Sequence, residues 1–139
     1  LAQRLNRFAG EANRILPILL EFNVGGEESK GGWDASDEST WDSLLPDVST
    51  ILDLPHVQIR GLMSMPPLGN DAEDSRRFFY QVRRLRERLA DQLPGGDWRE
   101  LSMGTSLDYA VAVEEGATLV RVGTAIVGER SKRRHTPEE

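Results

Sequence analysis

Gly104-Thr105-Ser106 and Gly123-Thr124 are two short turns of glycine and hydroxyl residues, one helix and one strand apart. Residues of these types bind oxyanions: glycines expose backbone N–H groups, hydroxyls add donors, and a helix N-terminus adds positive potential. Ordinary tight turns use the same residues, so position matters more than type. Loops that follow parallel strands emerge at one end of a sheet, and neighbouring strands lie about 4.8 Å apart. Two such turns therefore meet at one rim and can frame a phosphate. Between them, Arg121 interrupts the apolar stretch Thr118 to Val127. Strand alternation puts Leu119, Arg121 and Gly123 on one face. A buried guanidinium needs an acceptor. That acceptor is either a carboxylate such as Glu21 or an atom of a bound ligand.

The elements that must position these groups can be read from periodicity. Leu1, Leu5, Phe8 and Ala12 predict an opening helix. Ile15 to Val24 is an apolar run of the kind found in parallel strands buried on both faces, and it ends in "GGEESKGG". Trp41, Leu44, Leu45, Val48, Ile51 and Leu52 mark a second helix, with Asp37 and Glu38 near its positive end. Val57 to Met65 is a second strand, stopped by Pro66-Pro67. Phe78, Val82, Leu85, Leu89 and Leu93 form the stripe of a third helix, preceded by Asp71, Glu73 and Asp74 and ended by Pro94-Gly95-Gly96. A short strand runs to about Met103, Ser106 or Asp108 caps a helix closed by Gly116, and Thr118 to Gly128 is the last strand. Four helices alternating with four strands predict a parallel sheet with right-handed crossovers. The residues after Gly128 read as a helix start or a polar tail.

Composition narrows the function. The 139 residues suffice for one domain with one core, and a net charge of -6 argues against nucleic acid as the main partner. The arginines between Arg76 and Arg88 are interspersed with Glu87 and Asp91 and read as a solvated helix face. The absence of cysteine removes thiolate metal sites and suits a cytoplasmic protein. Two scattered histidines give no metal-ligand spacing. No apolar run approaches the roughly 20 residues that span a bilayer.

"LSMGTSLDYAVAVEEGATLVRVGTAIVGER" (Leu101 to Arg130) resembles the C-terminal signature of the YggS/PROSC family, the pyridoxal phosphate homeostasis proteins. "NVGGEESKGG" (Asn23 to Gly32) and "RGLMSMPP" (Arg60 to Pro67) resemble two further family segments in the expected order. Thr105 stands where the family often has methionine, and Ala110 where an acidic residue is common. The resemblance implies an alanine racemase-type (β/α)8 TIM barrel holding pyridoxal 5'-phosphate (PLP) at the C-terminal rim of its strands. It implies that Ser106 donates to the cofactor phosphate, with backbone help from Gly104 and Thr105. Gly123 and Thr124 would close the other side, Arg121 would face the pyridine nitrogen, and Met103 would pack near the ring. It also implies a protein that manages PLP supply without catalysis and hands cofactor to PLP-dependent apoenzymes. A racemase-like enzyme and a barrel for another phosphorylated metabolite are the rival readings.

The matched motifs belong to the second half of the family's chain. Residues 1–130 are accordingly expected to form the C-terminal half of the barrel, followed by a polar tail over 131–139. The lysine that carries PLP in the family lies on an early strand, and neither Lys30 nor Lys132 occupies such a place. A half barrel would leave two sheet edges and an apolar face open. The expectation is a fragment completed by the first half of the same barrel or by a second chain.

Overall fold

The structure, a computed structural model, describes residues 1–128. The polar segment read as a tail lies outside them. Five parallel strands form one sheet in the order β2-β1-β3-β4-β5: β1 is Leu16–Asn23, β2 Trp33–Asp34, β3 Val57–Met63, β4 Glu100–Thr105 and β5 Leu119–Arg121. The helices are α1 (Ala2–Glu11), α2 (Leu45–Leu52), α3 (Arg76–Gln92), α4 (Tyr109–Glu114) and α5 (Thr124–Val127). The expected alternation and parallel sheet are present.

Helices cover one face of the sheet. Leu20 and Phe22 of β1, Leu62 of β3, and Leu101 and Met103 of β4 pack there against Val48 and Ile51 of α2 and Phe79, Val82, Leu85 and Leu89 of α3. Phe79 is wholly enclosed; burying such a ring stabilises by about 1.5–3 kcal/mol. Asp71 starts the turn before α3 by accepting from Glu73 N–H at 2.8 Å, while Asp74 accepts from the Asp71 N–H at 3.2 Å. This reciprocal cap explains the acidic cluster. Asp37 plays a similar part before α2, accepting from the Ser39 N–H and hydroxyl.

Four expectations need correction. The buried stripe of α3 begins at Phe79 rather than Phe78, which is only partly buried. In α1, Ala2, Leu5 and Ala9 face inward, while Leu1 and Phe8 are exposed and Arg4 and Arg7 lie over the Phe8 ring. The stretch Thr118 to Gly128 is not one strand: β5 stops at Arg121 and a single helical turn, α5, starts at Thr124. Finally, the two-residue β2 adds a fifth strand that no periodicity announces, paired to β1 only at Phe22 and Asn23.

Gly61 shows why "RGLMSM" needs its glycine. The β1–β3 register runs Ile18↔Ile59 and then Leu19↔Gly61, so β3 carries one extra residue. Gly61 takes φ 147°, and a Cβ there would run into the backbone of Glu100 on β4. The bulge and the close approach together exclude a side chain.

Candidate functional site

The C-terminal ends of β3, β4 and β5 open into a cleft of about 820 Å³. Gly104, Thr105, Ser106, Arg121, Gly123 and Thr124 all line it, so the two turns and the arginine do share one rim. Met103 does not line it; it is fully buried in the core.

Each group has a local reason for its place. Gly104 has φ 91°, and a Cβ there would sit 2.6 Å from Cβ of Ala112, so glycine lets α4 pack against the end of β4. The next turn is held by Asp108, which is nearly buried. Its Oδ1 accepts from the Thr105 N–H at 2.8 Å and from the Thr105 hydroxyl at 3.2 Å. Asp108 therefore braces the turn, and the Thr105 N–H expected to help a phosphate is already engaged. Ser106 Oγ accepts from the Ala125 N–H at 3.1 Å, joining the first turn to the second. A hydroxyl that accepts this way retains its own proton for another acceptor.

Gly123 behaves differently from Gly104. Its φ is -114°, which any residue can adopt, and a Cβ built there would meet nothing within 4 Å among the described residues. Neither backbone strain nor a neighbour among those residues demands glycine at this point. The space beside it belongs to the cleft.

Arg121 is satisfied by neutral groups. Nη1 donates to the Ser102 carbonyl at 2.9 Å and to Ser102 Oγ at 2.7 Å, and Nη2 donates to the Ser64 carbonyl at 2.9 Å. Among the described residues, no carboxylate forms a salt bridge with it, so the suggested pairing with Glu21 is not made. Burial pushes the Arg121 pKa down, while the more distant charges of Glu21 and Asp108 pull it back up. Arginine stays protonated regardless.

The rest of the wall was not foreseen. Met65, Pro66, Leu68, Leu107 and Val127 give it a largely apolar character. Lys30 also lines the cleft, 3.8 Å from Glu27. Lys30 thus brings "GGEESKGG" to the edge of the cleft. The signal was present in its glycines: a Cβ on Gly32, whose φ is 88°, would strike the Glu21 backbone, which folds this loop onto β1.

A parallel strand–helix sheet with a cation and two hydroxyl-rich turns at its C-terminal rim defines a protein of the α/β class whose loops gather at one mouth. Comparison with known proteins makes the assignment specific. Residues 1–131 match the alanine racemase N-terminal domain model, and the chain belongs to that family. It is 41% identical to the pyridoxal phosphate homeostasis protein of Aquifex aeolicus over 94% of its own length and 54% of that protein's. It is similar in structure to PipY of Synechococcus elongatus, at 40% identity, over 88% of this chain and 54% of that one. The TM-score is 0.77 to PipY without PLP and 0.73 to PipY with PLP bound. Alanine racemase of Clostridium difficile 630 shares the fold alone, at TM-score 0.59 and 14% identity over 95% of this chain. The chain spans about half the length of the curated relatives it matches.

Proposed function

We propose that this chain carries the phosphate- and ring-nitrogen-binding part of a pyridoxal 5'-phosphate site, in a protein that holds and hands over the cofactor without turning over a substrate. The observation that carries this is Arg121, a cation seated on neutral acceptors in the cleft that also holds Ser106 and Thr124. Ser106 and Thr124 supply hydroxyls to the phosphate, and the open space at Gly123 admits it. Arg121 donates toward the ring nitrogen, and Met65 and Leu68 offer apolar surface for the ring face.

When bound, the cofactor supplies an electron-withdrawing ring. A guanidinium donating to the pyridine nitrogen disfavours protonation there and leaves that ring a weak electron sink. This favours carriage over demanding carbanion chemistry. A racemase-like reading needs a second acid/base group, and among the described residues no tyrosine or histidine lines the cleft. The names of the relatives point the same way.

The open edges of the sheet and the half-length match support a further part of this reading. The chain forms the C-terminal half of a barrel whose first half, with the PLP-bearing lysine, comes from the same polypeptide or a second chain. Cytoplasmic residence and delivery to PLP-dependent apoenzymes complete the proposal.

Equilibrium dialysis against PLP, pyridoxal and inorganic phosphate tests the site. Binding should need both phosphate and ring, and Arg121→Ala should weaken PLP by about tenfold or more. Equal affinity for PLP and pyridoxal would show that the turns hold no phosphate.

A further inference from the structure

Arg121 is fixed by two buried serines, Ser64 just past the end of β3 and Ser102 within β4. Ser102 is nearly buried and Ser64 wholly so. Ser64 is itself tied down: its hydroxyl donates to the Phe22 carbonyl at 2.8 Å, and its N–H donates to the Ser102 carbonyl at 3.1 Å. One hydrogen-bonded line therefore runs from β1 through the end of β3 and the middle of β4 to the guanidinium. Arginine has five N–H donors, and these serines take up three in the bonds described above.

We infer that Ser64 and Ser102 form a neutral seat for Arg121, and that Ser102 is a positioning residue that aims the remaining guanidinium N–H groups into the cleft. The second half of this inference rests on the ligand reading above. Chemistry favours a seat of this kind. A carboxylate would grip the guanidinium more strongly, but at contact distance it would also cancel the charge that a ligand could use. Carbonyls and a hydroxyl fix the plane of the fork and leave its full charge to whatever enters. The downward pull of burial on Arg121 fits a cation with no ionic partner in contact. An apolar residue at position 102 could pack as well as serine does; only the hydroxyl gives Nη1 its 2.7 Å acceptor.

The test uses the full 139-residue chain labelled with ¹⁵N-arginine, with Ser102→Ala and the nearly isosteric, weakly accepting Ser102→Cys. In the ligand-free wild type, the Arg121 guanidinium should give resolved, slowly rotating N–H signals, and both variants should average them. Unchanged signals in the two variants would overturn the seat. Pyridoxine 5'-phosphate and inorganic phosphate then serve as probes. Both variants should bind the first about five- to tenfold more weakly and the second unchanged. The loss should vanish in an Arg121→Ala background. Equal weakening for both probes, or a loss that persists without Arg121, would overturn the positioning role. A wild type that binds the two probes equally would sink the ligand reading, while the arginine signals would still decide the seat. Ser102→Cys keeps the site filled, so a folding defect confined to Ser102→Ala leaves the result readable.

Discussion

The helix-covered side of the sheet and its β5 end are built in opposite ways. On the first, α3 buries Phe79, Val82, Leu85 and Leu89 completely, and four of its arginines, Arg76, Arg83, Arg84 and Arg88, find acids nearby. Arg76 reaches Glu73, Glu114 and Glu115, Arg83 shares Glu115, and Arg88 grips Asp42. At the β5 end, Leu119 and Val120 are 46% and 40% exposed, and Ile126 and Val127 are 76% and 81% exposed. Among the described residues β5 pairs with β4 alone. One region closes on itself, while the other presents apolar surface and, among those residues, an unpaired strand edge beside the cleft. Stability and function therefore sit in different places, and mutations should separate them.

The largest effect should come from the closed side. Phe79→Ala removes a fully enclosed ring and should cost about 3–5 kcal/mol in urea unfolding, enough to threaten the fold. At the open end, Gly123→Val should leave the unfolding midpoint near wild type, because its Cβ meets no atom of the described residues, yet weaken PLP binding by about tenfold or more by filling the cleft. If stability falls as well, the space beside Gly123 is a packing site after all. Arg76→Ala should lower the urea midpoint slightly with an unchanged slope, since two of its three partners, Glu73 and Glu114, are largely exposed. Its hydrogen bond holds the Glu73 pKa down. A depressed carboxylate stabilises above its unfolded pKa and loses that contribution as pH falls through the folded value. Glu73→Gln should therefore flatten the acid limb of the stability curve. Leu119→Lys should change stability least, by no more than ~0.5 kcal/mol, while reducing association at the open edge in sedimentation velocity. A clear loss of stability would mean that β5 is already part of a finished core.

The same division explains what could be read from the sequence. Long elements on the closed side were legible, α3 because burial on one face imposes a period and β1 because of its apolar run, although β1 buries Leu20 and Phe22 on one face rather than being enclosed on both. Their phase was harder: Phe78 and Phe79 are adjacent and equally apolar, and only packing decides which one turns inward. α5 was illegible for a physical reason. "TLVRVGTAIVG" is apolar on both sides of Arg121, and Leu119, Val120, Ile126 and Val127 are all exposed, so no inside–outside alternation marks where the strand stops. The cleft's turns and Arg121 were visible as residue types. The placing of Lys30, the brace by Asp108 and the serine seat were not, because each depends on contacts between distant segments.

One more constraint follows from the strands all running the same way. Sheet polarity makes the two lateral borders of the molecule non-equivalent, so any added strand must enter with its own C-terminus at the cleft rim to continue the ladder. Two copies placed β5 against β5 about a two-fold axis would meet head-to-foot, breaking the polarity that gathers loops at one mouth. Only a partner offering the opposite border can extend the ring and keep the rim intact.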